Sequence, residues 1–231
     1  MSYIEEGKKA WEEHFLKTSL LYPDENVVRF LAKAKHLYPS GTMLDWGCGL
    51  GRHTVLGLDM GFDVAASDYV PYCLEETRKK VNELNVEQKV SYYNSMGCEI
   101  EGFSNESDEV IVAWGVVFYN DKAGMEKMLS NCYKYMKSGG MMLCNFRTEK
   151  DHIYESQKPN ENNMYVLGSN GAQMSILPLD ELKIIITEAG FVIDEINLYE
   201  FTTDNCKNRN SWWNIIVKKS YGEAEGTCNV S

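Results

Sequence analysis

A chain of 231 residues, 44% hydrophobic and 25% charged, has the length and balance of one large globular domain with a sizeable core. Its formal net charge of −11 is repelled by phosphate backbones and its longest basic run is Arg78-Lys79-Lys80, which argues against nucleic acid and leaves a small molecule as the expected partner. Residues Met1–Lys9 lack the apolar stretch of a leader peptide, no run reaches membrane-spanning length, and the seven cysteines are scattered without CxxC spacing, so a cytoplasmic protein with reduced thiols, no metal site and no membrane contact is expected.

Residues 4–37 read as two helices. Ile4, Trp11, Phe15 and Leu16 recur at helical spacing, and Pro23-Asp24 opens a second helix with Val27, Val28, Phe30, Leu31 and Ala34 on its apolar face. This helical arm, residues 1–40, closes with Pro39-Ser40 before Gly41. Strands and helices then alternate: strand Thr42–Trp46, helix Arg52–Met60 stopped by Gly61, strand Asp63–Ser67, and helix Pro71–Asn85 with proline suited to its first turn. Strands Lys89–Tyr93 and Asp108–Ala113 follow, then helix Lys122–Lys137, stopped by Ser138-Gly139-Gly140, and strand Met141–Phe146. The repeat predicts a doubly wound α/β domain over residues 41–219, its sheet mostly parallel with helices on both faces. Residues 147–176 interrupt the pattern as an insertion. Its polar stretch Arg147–Gln173 has the length of a lid or binding loop. Helix Pro178–Ala189 precedes strands Phe191–Tyr199 and Ser211–Lys218, which have no helix between them and must pair antiparallel. Residues 220–231 read as a flexible tail.

The stretch Asp45-Trp46-Gly47-Cys48-Gly49-Leu50-Gly51-Arg52-His53 joins the end of a buried strand to the start of a helix. Three glycines at every second position allow sharp backbone turns and bring bare peptide groups against a ligand. Asp68 ends the next strand, where a carboxylate is placed to take the two hydroxyls of a ribose. An adenosine-containing cofactor follows from this set. Arg52 stands where a dinucleotide fingerprint has a further glycine, which disfavours a nicotinamide-dependent oxidoreductase.

These motifs resemble those of the class I S-adenosylmethionine-dependent methyltransferases, in their small-molecule branch. The resemblance rests on Asp45–Gly51, on Asp68, on the fourth-strand segment Asp108–Gly115, on Tyr135–Leu143 with its Gly-Gly pair, and on the closing antiparallel strands, covering roughly residues 40–218. It implies a seven-stranded sheet in the order 3-2-1-4-5-7-6, S-adenosyl-L-methionine as cofactor and methyl transfer as activity. It also implies that Asp45, Gly47, Cys48, Gly49, Gly51, His53, Asp68, Tyr69 and Trp114 serve the cofactor. The acidic residue that the family often carries after the third strand is absent from Tyr93-Asn94-Ser95-Met96-Gly97, so the adenine falls to Asn94, Ser95 or the backbone of Met96, with the Met96 side chain placed to pack on its face. A non-catalytic module that binds the same cofactor is the alternative of another class.

Methyl transfer from a sulfonium needs positioning and desolvation, and for a hydroxyl acceptor a base as well. The acceptor approaches the carboxyl ends of the strands. The aromatic segment Trp114–Asp121 offers Tyr119 as donor or base, and the residues after the fifth strand offer Arg147, Asp151 and His152, a histidine being a credible base. Tyr3, Trp11, His14 and Phe15 of the arm are candidates for a lid. The segment lacks the Asn/Asp-Pro-Pro-Tyr/Phe signature of enzymes that methylate nucleobase amines. Charge and resemblance together point to a small polar metabolite as acceptor, a sugar or glycan precursor among them.

Overall fold

The computed structural model describes residues 3–17, 20–86, 88–167 and 171–221, the side chains of residues 3–7 excepted. The expected side chain of Tyr3 in the lid and the expected tail from 222 onward lie outside the described residues. Helices α1 (Tyr3–Lys17) and α2 (Glu25–Leu37) form the arm, and Asp24 caps α2 by accepting the Asn26 N–H at 2.9 Å. Strands and helices then alternate through β1 (Thr42–Trp46), α3 (Arg52–Asp59), β2 (Asp63–Asp68), α4 (Pro71–Asn82) and β3 (Val90–Met96). After β4 (Glu99–Ile100) and β5 (Asp108–Ala113), a 3-10 turn at Val117–Tyr119 leads to α5 (Lys122–Tyr135) and β6 (Met136–Arg147).

The main sheet has eight strands among the described residues, in the order β4-β3-β2-β1-β5-β6-β10-β9. That is the expected order with one strand added. Gly97, at φ 65, lets the chain reverse in two residues, so Ser95 and Met96 pair antiparallel with Ile100 and Glu99. Strands β1, β2, β3, β5 and β6 run parallel, and the last two, β9 (Val192–Thr203) and β10 (Asn208–Lys218), form the antiparallel pair.

Alternation along the central strands divides the core. Leu44, Ile111 and Met142 pack with Met125 and Leu129 of α5 and with Leu182 and Ile186 of α7 (Leu179–Glu188). Met43, Val110, Val112 and Leu143 pack on the other face against Val27 and Leu31 of α2 and Leu58 of α3. Helix α5 stops two residues before the expected Lys137. Met136 pairs with Asp108 instead, and β6 begins there.

The expected loop at 147–173 is largely ordered. It holds α6 (His152–Ser156) and a hairpin of β7 (Tyr165–Val166) with β8 (Gln173–Met174). Ile153, Tyr165 and Met174 enter the main core, which ties this segment down despite its polar composition. Ser175 fixes it to the 3-10 turn by donating its N–H to Phe118 at 2.8 Å and its hydroxyl to Asn120 at 2.8 Å. Among the described residues, no helix is long and apolar enough to cross a membrane.

Candidate active site

The turn after β1 is held from three sides. The N–H groups of Gly47 and Cys48 donate to the Ser67 carbonyl at 2.7 and 3.0 Å, the Gly49 N–H donates to Asp68 Oδ2 at 2.9 Å, and Thr77 Oγ1 donates to the Gly49 carbonyl at 3.1 Å. Gly51 has a φ of 81° and a Cβ there would meet Thr77 at 2.7 Å, so only glycine fits this entry to α3. The first turn of α3 points its positive end at the cleft that Leu50, Arg52 and His53 line.

The electrostatics of this corner follow from burial. Asp68 is buried and accepts N–H bonds from Gly49 and Val70, both at 2.9 Å, yet desolvation lifts its carboxyl to about 6. Asp45 is buried deeper, accepts from Thr54 Oγ1 at 2.6 Å, and is driven to about 7 by desolvation. It is not among the residues lining the cleft, so the structure gives it to the support of α3 rather than to direct ligand contact. His53 is pushed down to about 3 by burial, and its Nε2 accepts the Asp24 N–H at 3.2 Å, which leaves it neutral with its proton on Nδ1.

The raised Asp45 gives a pH signature. The folded protein binds a proton there more tightly than the unfolded chain, so this carboxyl costs stability as pH rises from 3.8 to about 7, at about 1.4 kcal/mol per pH unit. Asp45→Asn is therefore expected to be more stable than the parent at pH 8, by a few kcal/mol at most, with the gain vanishing near pH 4. Urea unfolding at the two pH values measures this, and an equal gain at both excludes a buried ionised carboxylate.

Two adjoining cavities run along the carboxyl ends of the strands. The first is lined by Trp46, Asp68, Tyr69, Ser95, Gly97 and Asn120, and has about 970 Å³ of empty space, mouth included. That is ample for a nucleoside. The buried Trp46 Nε1 in its wall has no hydrogen-bond partner among the described residues. An unpaired donor, the Asp68 carboxylate at the end of β2 and a glycine turn fit an adenosyl group. Gln173 reaches this cavity from the insertion.

The second cavity continues from the glycine turn past Trp114 and Tyr119 to Asn145 and Arg147 of β6, Trp212 and Asn214 of β10, and Tyr199 and Phe201 of β9. Trp11 and Phe15 of the arm line both cavities, and the Trp11 ring lies 4.7 Å from Tyr119, edge to face.

Most expected residues converge here, with exceptions. His152 lines neither cavity. Its Nδ1 sits 2.9 Å from the Arg209 carbonyl, turned toward the β9–β10 turn, so the structure does not support it as a base. Burial drives the Tyr119 hydroxyl up to about 12, which favours the donor role over that of base. Met96 is 69% exposed and lines neither cavity, because its register with Glu99 directs it to the sheet rim while Ser95 faces inward. Cys48 lines the second cavity, its thiol pushed well up by burial.

Asn145, Asn214, Trp212 and the β9 aromatics escaped the sequence reading. Their signal was alternation: 145 with 147, and 212 with 214, each share a face, but pairing β6 with β10 in register needs the fold.

The comparisons agree with this geometry. A family model described as a methyltransferase domain matches residues 43–140. A methyltransferase from Methanosarcina mazei described as S-adenosylmethionine-dependent superposes with a TM-score of 0.68 at 16% identity, over 82% of this chain and 98% of that one. The Burkholderia thailandensis 1,6-didemethyltoxoflavin-N1-methyltransferase, solved with 1,6-didemethyltoxoflavin and S-adenosylhomocysteine, also gives 0.68, at 15% identity over 94% and 89%. Residues 43–140 thus match a methyltransferase domain, and the fold of the chain is the one these solved methyltransferases share, in which S-adenosyl-L-methionine is the cofactor. A curated relative, the tRNA N(3)-methylcytidine methyltransferase Mettl2 of Drosophila melanogaster, is 25% identical over 165 residues, 67% of this chain. The chain spans 50% of that relative's length. The name of that relative means that the negative charge does not by itself exclude a nucleic-acid substrate.

Proposed function

We propose that this chain transfers the methyl group of S-adenosyl-L-methionine to a small polar acceptor. The observation that carries the reading is the continuity of the two cavities: a nucleoside-sized one at Asp68 shares Gly47, Gly115 and Tyr119 with a second, side-chain-lined one. The cofactor supplies a methyl group already activated on a sulfonium. The protein's part is then to hold both partners in line and to exclude water.

In this reading Asp68 accepts from the ribose hydroxyls, and the Trp46 indole N–H and Ser95 serve the adenine side. Arg52, whose guanidinium donates to the Tyr22 carbonyl at 3.2 Å, joins the α3 N-terminus in receiving the cofactor's carboxylate. Gly47 and Trp114 close the floor between the cavities, and Trp11 and Phe15 cover it as a lid. Tyr119 donates a hydrogen bond. His14, pushed below its usual value by burial, lines the second cavity and takes the place of His152 as the candidate histidine there.

The test is transfer of labelled methyl from S-adenosyl-L-methionine to a small-metabolite extract and, separately, to tRNA. Label in the small-molecule fraction is expected, and His152→Asn should transfer it as the parent does. Label confined to tRNA overturns the small-molecule reading. Binding of S-adenosylhomocysteine with no transfer to either pool favours the non-catalytic module.

A further inference from the structure

The far wall of the second cavity contains a polar arrangement that the fold does not use. Strands β6 and β10 pair so that Arg147 faces Trp212 and Asn145 faces Asn214. All four side chains line the cavity. The Arg147 side chain is anchored at one end only. Its Nη1 donates to Asp151 Oδ2 at 2.5 Å, and its guanidinium lies 4.1 Å over the Trp212 ring. Asp151 is itself fixed, accepting the N–H of Ile153 at 3.0 Å and of Ser211 at 3.1 Å, so the guanidinium is held in one plane.

Two atoms on this wall are left over. Arg147 Nε is a buried donor and Asn214 Oδ1 a buried acceptor, and neither has a hydrogen-bond partner among the described residues. The two residues are 8% and 4% exposed. Leaving such groups unpaired costs stability, so natural sequences rarely retain two on one wall unless a ligand or water satisfies them. Asn145 has its own oxygen occupied by the Gly115 N–H at 2.7 Å, which turns its amide nitrogen to the remaining space. Around this polar edge stand flat apolar surfaces: Trp212, Phe118 with its ring 5.4 Å from Trp212, and the Tyr199–Phe201 pair.

Resting on the methyltransferase reading, we infer that the acceptor is a flat aromatic or heteroaromatic molecule that presents a carboxylate or carbonyl oxygen to Arg147 and an N–H or O–H to Asn214. The ring packs on the aromatic wall, and the adjacent donor and acceptor on its edge match the donor of β6 and the acceptor of β10. A flexible sugar offers hydroxyls all round and no single edge of this kind.

The experiment is calorimetric titration of the full chain, saturated with S-adenosylhomocysteine, using four probes: salicylate, 2-hydroxybenzamide, benzene-1,2-diol and glucose 6-phosphate. Salicylate and 2-hydroxybenzamide are expected to bind, and the diol and the sugar phosphate to bind more weakly. Salicylate ahead of the amide identifies a carboxylate acceptor, and the reverse order a carbonyl one. Arg147→Lys keeps the pair with Asp151 but loses Nε, and Asn214→Leu removes the acceptor. Each is expected to weaken the better probe roughly tenfold to a hundredfold while leaving S-adenosylhomocysteine affinity unchanged. Glucose 6-phosphate binding best, none of the probes binding, or both variants binding the ring probes like the parent overturns the inference. Failure of S-adenosylhomocysteine itself to bind instead overturns the methyltransferase reading on which it rests.

Discussion

Asp68→Ala is expected to weaken S-adenosylhomocysteine binding by roughly 1–3 kcal/mol in calorimetric titration, a loss on the scale of hydrogen bonds to a charged group. Two effects add. In the proposed cofactor site the carboxylate at the end of β2 takes the ribose hydroxyls, and it also ties Gly49 of the turn through a 2.9 Å bond. Removing it therefore loosens the turn as well as the ribose contact. The same carboxyl predicts a pH dependence. It is raised to about 6, and its ionised form, which accepts from hydroxyls and from both N–H groups, prevails above that value. Affinity is thus expected to fall as pH drops through about 6, and Asp68→Asn to flatten the fall. A folded Asp68→Ala protein with unchanged affinity removes Asp68 from the cofactor site.

Asp151→Ala is expected to be the most destabilising change on the acceptor wall, at about 3–5 kcal/mol in urea unfolding, because it leaves the buried Arg147 without its counter-charge. The N–H groups of Ser211 and Ile153 lose their acceptor in the same step. Asp151→Asn retains an acceptor oxygen and the N-cap of α6, so it should cost less. A loss below about 1 kcal/mol for the alanine variant would mean that Arg147 reaches solvent when its partner is removed, and that the wall is not rigid.

Legibility differed by element. Strands β1, β2 and β5 were readable because each is a short, largely apolar run bounded by glycine or a polar break, and buried parallel strands leave that trace. The glycine turn was readable because backbone conformation, not packing, demands the residue type. The short β4 was not, since two residues carry no periodicity and only the reversal at Gly97 creates the strand. The insertion read as a loop because its few apolar residues, Ile153, Tyr165 and Met174, are spaced by polar ones and find their burial against distant elements. His152 was misjudged for the same reason. Its position just past the sheet was correct, but α6, capped by Asp151, turns its ring toward Arg209.

The sequence by itself determined the glycine turn and the strand-end aspartate on which the proposed cofactor site is built. Local rules act there: glycines for positive φ, an aspartate at a strand end, a helix started in phase. The acceptor end was decided by the tertiary structure. Arg147 and Trp212 are far apart in the chain and become one surface only when β10 pairs with β6 in a particular register. Which polar atoms are left without partners is a property of that packing, because satisfaction of a buried group depends on every neighbour the fold brings to it.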